Sequence, residues 1–452
     1  MPSDQETLDS PPTHDLAVGR RYQLRITLDG IEPEIWRTIE VPASITLPDL
    51  HDALQVVMGW EDYHLHKFVL GDNPWDSNAV SFVEQTELDE SYFDDVGRER
   101  LAEGVRIEEI LIEPGDEVLY VYDYGDGWLH HIALVEVRKD PDQSVVCLEG
   151  VRACPPEDCG GEFGYTELLR VLDDPEDAEY EHLSAWAGTF EAEHFDVIAV
   201  NAQLDHSARR KAILATAAAA SPLVGALLSR VHPISVPLLI EALDAAHLSE
   251  AVEIDDTDAA VALAKIIWLI DHIGDKLKLT PAGYLPPTSV AQMRHELDWA
   301  AWPFIGGNRE VDHFQATLLR ESMIKFGLIR KIKGELLPTA RATKLRSEPR
   351  KLWEHVASRM PRGNDDAERD AGVVALIATA AGIDDADPII LETMPALGWQ
   401  ANHPRAFTYA AATSRRFLFL LGAPSSTERA KLPVPPWIPL FAREVLRRDN
   451  RV

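Results

Sequence analysis

Cysteine is scarce in this chain, and so is positive charge in its front half. Three cysteines occur in 452 residues, Cys147, Cys154 and Cys159, all within one stretch, CLEGVRACPPEDCGG. An odd number cannot pair completely, and a reducing compartment does not sustain disulfides. The cluster therefore reads as metal-binding, reactive or incidental thiols, not as a disulfide framework. No charged start followed by an apolar segment opens the sequence, and no apolar run approaches the roughly 18 residues that a membrane span needs. A membrane protein is not expected, and the cytoplasm is the expected location. Residues 1–200 carry 12 Lys+Arg against 46 Asp+Glu, a net −34, whereas residues 201–452 carry 31 against 29, a net +2. So acidic a front half repels nucleic acid and anionic membrane at close range, which leaves the rear half free to bind them.

The length suggests two or three domains. Residues 1–18 are polar and proline-bearing and are expected to be a disordered tail. RYQLRITLDG and EIWRTIEVP alternate with period two (Tyr22, Leu24, Ile26, Leu28; Ile35, Arg37, Ile39, Val41) and predict a strand hairpin. TLPDLHDALQVVMGW spaces Leu47, Leu50, Leu54 and Val57 as on one helix face. Thr46 is placed to cap that helix, Pro48 to open it and Gly59 to end it. HLHKFVLG reads as a strand, residues 72–103 as a long acidic solvated loop, and EVLYVYDYGDGWLHHIALVEV as two strands around a glycine turn. Residues 19–205 thus predict an α+β domain, an antiparallel sheet with packed helices. From Ala208 the chain turns alanine-rich and helical, so residues 206–452 predict an α-helical half. Within it, helix followed by a short ribbon recurs at about 257–290 and 312–360, as in winged-helix units.

IEPEIWRTIEVP, TLPDLHDALQVVMGW, HLHKF, YDYGDGWLHHI and CLEGVRACPPEDCGGEFGY follow one another with the order and spacing of a known family. Over residues 19–205 the chain resembles the plasmid Ri open-reading-frame-three-like family, also labelled mobile-element passenger TnpR-like. The resemblance implies a compact α+β fold and an association with plasmids or insertion elements, and it carries no activity with it. Serine recombination, which that second label suggests, needs a nucleophilic serine amid arginines that stabilise phosphate charge. No serine of residues 1–200 is so placed.

Four groups of residues are candidates for chemistry. Cys147, Cys154 and Cys159, with His130 as fourth ligand, fit in type a closed structural zinc site, although their spacing is not the two-residue knuckle of zinc ribbons. The alternative is a rigid turn of Pro155, Pro156, Gly160 and Gly161 with the cysteines as small buried residues. His64 and His66 form an H-x-H which, on a strand, would point to one face about 7 Å apart. With Asp123 and Asp126 they make a second polar cluster, of use to a metal-dependent hydrolase. Glu157 and Asp158 add carboxylates able to take a divalent cation, and plain turn chemistry explains the same acids. Trp36, Trp60 and Trp128 read as core aromatics.

In the rear half, residues 309–362 hold 13 Lys+Arg against 6 Asp+Glu and coincide with the better winged-helix copy. Arg320, Lys325, Arg330, Lys331, Lys333, Arg341, Lys344 and Arg346 are the candidates for nucleic-acid contact. The alternative is that this basic stretch docks on the acidic front. The sequence thus points first to a non-enzymatic accessory or adapter protein of mobile elements with an unidentified protein partner. A DNA-binding regulator and a metal-dependent hydrolase are the other two readings.

Overall fold

A computed structural model describes residues 19–76, 78–90, 99–231, 235–297, 307–361, 363–423 and 433–448. The expected disordered tail lies outside the described residues. The chain divides into two compact units, Met1–Arg209 and Arg210–Val452.

In the first unit β1 (Arg20–Leu28) and β2 (Ile35–Pro42) pair as an antiparallel hairpin, followed by α1 (Leu47–Met58). Next come β3 (His66–Leu70), β4 (Val80–Val83), α2 (Gln85–Glu90) and β5 (Glu99–Leu101). Then follow β6 (Glu117–Tyr122), β7 (Trp128–Lys139), β8 (Val146–Val151), α3 (Gly161–Leu172), α4 (Tyr180–Ala187) and α5 (Val197–Ala220), whose residues after Arg209 belong to the second unit. The strands form one eight-stranded sheet in the order β5-β4-β3-β6-β7-β1-β2-β8. All its neighbours are antiparallel except β4 and β5, which makes the sheet mixed.

Along β1 the alternation sends one set of side chains into the core, whereas β6 is buried on both faces, with Leu119 and Val121 as well as Val118, Tyr120 and Tyr122 buried. Tyr22, Leu24, Ile26 and Leu28 are buried in one core with Leu47, Leu50, Leu54 and Val57 of α1. The helix begins and ends where its sequence says it should. The Thr46 side chain accepts the Asp49 amide, Pro48 stands in the first turn, and Gly59 takes a left-handed φ of 87°. Residues 72–103 differ from the expected loop. They supply β4, α2 and β5, and Phe82 and Val83 are buried, although too few apolar positions recur to announce so short a strand. Trp60 and Trp128 are core residues, while Trp36 is only half-buried and lies 4.1 Å beneath the Arg25 guanidinium.

The alternation of β2 also turns a charge inward. Arg37 is 1% exposed. Its guanidinium donates to the carbonyls of Val57, Trp36, Val151 and Arg152 and to Cys154 Sγ, and it lies 3.9 Å from the Phe195 ring. One side chain thereby ties together the end of α1, β2, β8 and the start of the cysteine loop.

The second unit is mainly helical. Its elements begin with α6 (Pro222–Leu228), α7 (Pro237–Ala246), α8 (Asp256–Ala262), α9 (Ala264–Ile273), β9 (Leu277–Lys278) and α10 (Pro287–Glu296). They continue with α11 (Phe314–Lys325), β10 (Ile329–Ile332), β11 (Glu335–Pro338), α12 (Ala340–Leu345) and α13 (Pro349–Ala357). The last are α14 (Asp366–Ala380), α15 (Asp387–Ala396), α16 (Arg405–Ala410), α17 (Ala412–Leu420) and α18 (Trp437–Arg447). α14 is the buried centre, with nine buried residues from Ala371 to Ala380. The two stretches that the sequence presents as successive copies do not each form a sheet. β9, only two residues long, pairs with β11 of the second stretch, giving one three-stranded sheet in the order β10-β11-β9.

Replacing Arg37 by Met would leave several buried carbonyls without their donor. Because each orphaned buried acceptor costs about 1–3 kcal/mol, Arg37→Met should lower the unfolding free energy of the first unit by at least about 3 kcal/mol in urea denaturation. A loss below about 1 kcal/mol would show that the guanidinium does not hold these segments.

Candidate functional site

Three of the stretches that carry the resemblance meet around one imidazole. His64 lies just before β3, Asp123 just after β6, and Glu157 and Asp158 in the cysteine loop. His64 Nε2 stands 3.1 Å from Asp158 Oδ1, 3.6 Å from Asp123 Oδ2 and 3.7 Å from Glu157 Oε2. None of these approaches has hydrogen-bonding geometry, so the nitrogen is buried without a hydrogen-bond partner.

Local chain geometry aims these carboxylates. Asp123 has a φ of 56°, and its Oδ1 accepts the amides of Gly125 and Asp126 at 2.8 and 3.2 Å, which leaves Oδ2 facing His64. Glu157 Oε1 accepts the Tyr122 hydroxyl at 3.0 Å and the Glu61 amide at 2.8 Å, which leaves Oε2 facing the same point. Burial, reinforced by Glu157, pushes the Tyr122 phenol well above its usual range and keeps it a donor. Asp126 faces elsewhere. Its Oδ2 accepts the Gly160 amide at 3.0 Å and binds the glycine turn to the cysteine loop. Gly161, at a φ of 67°, lies so close that a Cβ there would meet Asp126 O at 2.6 Å.

The H-x-H does not act as a pair. The strand starts at His66, so strand alternation does not govern His64, and the two rings enter different clusters. His66 stacks on His51 with ring centroids 3.5 Å apart and 5° between planes. Burial, aided by His51, lowers the His66 pKa to about 3. His51 Nδ1 meets the Tyr120 hydroxyl at 2.8 Å and Nε2 meets Asp62 Oδ1 at 2.9 Å. Gln55 completes the network by donating to Tyr120 and accepting from the Asp62 amide. His51, Asp62 and His66 do bring three ligand atoms close together. Parallel stacked rings, however, direct their in-plane lone pairs along separate planes, and both His51 nitrogens are already engaged. His51, Asp62 and Tyr122 were not legible as site residues. Nothing in their spacing separates them from ordinary helix and strand positions.

The four residues expected to share a zinc ion are dispersed. Among the described residues, the groups of three or more ligand atoms within 4.8 Å of one another contain neither a cysteine nor His130. Cys147 Sγ faces the Glu149 carbonyl, and Cys154 Sγ lies between Arg37 and Met58. Burial raises all three thiols, Cys154 to about 11 and, with Asp126 adding to it, Cys159 to about 12, so each is held as a protonated thiol. His130 packs edge-on against Trp60, its Nδ1 3.3 Å from the Tyr120 carbonyl and its Nε2 buried without a partner. His131, next along the strand, pairs instead with Glu117 at 2.6 Å.

The basic candidates of the second unit fall into two sets. Arg320 is buried and locked to the fully buried Glu310 at 2.7 Å, and Arg346 pairs with Asp271 at 2.6 Å. Lys325, Arg330, Lys331, Lys333, Arg341 and Lys344 are exposed. Arg330, Lys331 and Lys333 share the β10–β11 hairpin. Its two-residue turn, Lys333 and Gly334, has φ of 48° and 79°, as a twisted hairpin favours.

Burial holds the His130 pKa at about 3, against 6.5 for a free imidazole. Across that window the unfolded chain binds a proton that the folded chain refuses, so stability is full above about pH 6.5 and falls as the pH drops. In His130→Phe, the decline of unfolding free energy from pH 6.5 to about 4 should be shallower by up to about 1.4 kcal/mol per pH unit. An unchanged slope would mean that His130 is not kept neutral by the fold.

Residues 20–199 match the family described as plasmid pRiA4b ORF-3-like protein. The uncharacterized protein y4hQ of Sinorhizobium fredii is 32% identical over 182 residues, which span 37% of this chain and 80% of that protein. A crystal structure of a protein of unknown function, MM3350 from Methanosarcina mazei Go1, is 36% identical, with 40% of this chain and 96% of that chain covered at a TM-score of 0.34. Through its first unit, the chain belongs to the plasmid pRiA4b ORF-3-like family.

Proposed function

We propose that the protein is a non-enzymatic accessory protein of plasmids and other mobile elements that engages duplex DNA through its second unit. The observation that carries this reading is the joining of β9 to the β10–β11 hairpin. Among the described residues the order from α9 is helix, strand, helix, helix, strand, strand, with the first strand beside the last, and this supports reading the segment as a winged-helix unit. Residues 298–306, between α10 and α11, lie outside the described residues.

The hairpin, not α11, is the gripping element in this reading. α11 buries Gln315, Ala316, Leu319, Arg320 and Met323, and its one arginine neutralises Glu310. A helix so engaged has little with which to read base edges. The hairpin instead exposes Arg330, Lys331 and Lys333, and Lys278 is exposed on the adjoining strand. Contacts of this kind go to phosphates, so affinity without strong sequence preference is expected. The net charge of −32 opposes DNA at long range, but at about 0.1 M salt the screening length is only about 10 Å, and the local patch governs contact. The acidic family domain then remains available for a protein partner.

The test is fluorescence anisotropy of a short labelled duplex with the full chain and with Arg330→Ala/Lys331→Ala/Lys333→Asn, where Asn tolerates the left-handed turn position. Wild type should bind at low salt, with log K falling linearly in log salt. The variant should bind at least about tenfold more weakly, with a slope smaller by about 2 to 3. Absence of binding at low salt, or binding unchanged in the variant, would refute the proposal.

A further inference from the structure

We infer that the His64 pocket of the family domain is a binding site for a first-row divalent metal ion, with His64, Asp123 and Asp158 as its ligands and Glu157 beside them. The inference is independent of the DNA reading, since every residue in it belongs to the first unit.

Three properties of the pocket go beyond a gathering of acids. First, its centre is an imidazole nitrogen, buried and without a hydrogen bond, with three carboxylate oxygens 3.1 to 3.7 Å away. Second, the buried Asp123 and the half-buried Glu157 are each held from behind. Asp123, whose side chain is only 9% exposed, fixes Oδ1 on two turn amides, and Glu157 fixes Oε1 on a phenol and an amide. Each keeps its other oxygen directed at His64 Nε2. Outer-shell donors that orient a ligand and leave one oxygen free are how metal carboxylates are held. Third, the charges do not balance among themselves. Even a protonated imidazole would offset one of the three carboxylates, and no arginine or lysine among the described residues forms an ion pair with Asp123, Glu157 or Asp158. A divalent cation removes that deficit.

The donor set selects the kind of ion. One imidazole with carboxylate oxygens suits ions from Mn²⁺ to Zn²⁺ better than Ca²⁺ or Mg²⁺, which favour all-oxygen sites. Asp158 is 72% exposed, so the pocket opens to solvent on its side, giving the ion a path of entry and room for water ligands.

The experiment uses the full chain, stripped with chelator and dialysed, titrated with Mn²⁺ followed by the loss of its free electron-paramagnetic-resonance signal, and with Zn²⁺ by calorimetry. The expected result is one equivalent per chain for at least one of the two ions. Asp123→Asn and His64→Gln should each weaken that binding at least tenfold while retaining the thermal transition of the metal-free wild type. Asn at position 123 keeps the turn-accepting oxygen and tolerates its positive φ. Cys154→Ser should leave binding intact. Three results would each overturn the assignment. They are no stoichiometric binding of either ion, binding unaffected by both pocket variants, and binding lost in Cys154→Ser but retained in His64→Gln.

Discussion

A buried guanidinium with no carboxylate partner among the described residues holds the family domain together. Arg37 projects from β2 into the core and is satisfied entirely by carbonyls, one sulfur and an aromatic face. Burying an arginine is costly unless nearly every N–H finds an acceptor, so the segments that supply those acceptors cannot move independently. The end of α1, the β2–β8 pair and residues 152–154 are therefore fixed relative to one another. The same demand explains Gly150. A Cβ there would come within 2.7 Å of Arg37 Cδ and 2.8 Å of Phe195, so a larger residue would displace the guanidinium from its stack. Cys154 belongs to this arrangement as an acceptor and packing group, which gives the cysteine loop a role without any metal.

What Arg37 holds in place, the neighbouring loops turn into a site. Just past Cys154, the Pro155 carbonyl accepts the Trp60 indole, and two residues later Glu157 reaches the Glu61 amide. Trp60 and Glu61 lead directly to His64. Asp126 pins the glycine turn to Gly160 from the other side, which presents Asp123 to the same point. The family domain thus separates its histidines by environment. His66 and His130 lie in the core, where burial keeps them neutral, and His64 stands at a rim surrounded by carboxylates. The thiols, raised by the same burial, are poor nucleophiles.

The second unit assembles its sheet from segments that are far apart in sequence. Lys278 lies opposite Glu335, and Lys276 pairs with Glu335 at 3.0 Å. These contacts remove the one acidic group of β11 from competition and leave the exposed side of the hairpin positively charged. Arg320 has the reverse fate, because Glu310 draws it inward. Whether a basic side chain is available to a ligand is thus decided by which acid the fold brings beside it.

Much of the first unit was legible because its signals are local. Period-two alternation identified β1 and β2 down to the inward-facing Arg37, and the Thr46, Pro48 and Gly59 signals bounded α1, since caps and alternation act over one to four residues. The shift from strand to helix after the family domain was equally visible, as was the concentration of functional residue types in the motifs that carry the family resemblance. The partnerships were not. His64 and His66 are two residues apart and enter different clusters, while His64 and Asp158 are 94 positions apart and within reach of each other. Three cysteines crowded into thirteen positions face different neighbours, because Cys147 lies on β8 while Cys154 and Cys159 lie in the loop that follows it. By itself the sequence determined β1, β2, β3, β6 and β7, the first helix, the family and the cast of candidate residues, all of which follow from local pattern. Only the tertiary structure decided which of those residues share a pocket, which thiols are buried and which arginines are neutralised, because these depend on distances between segments that no local pattern encodes.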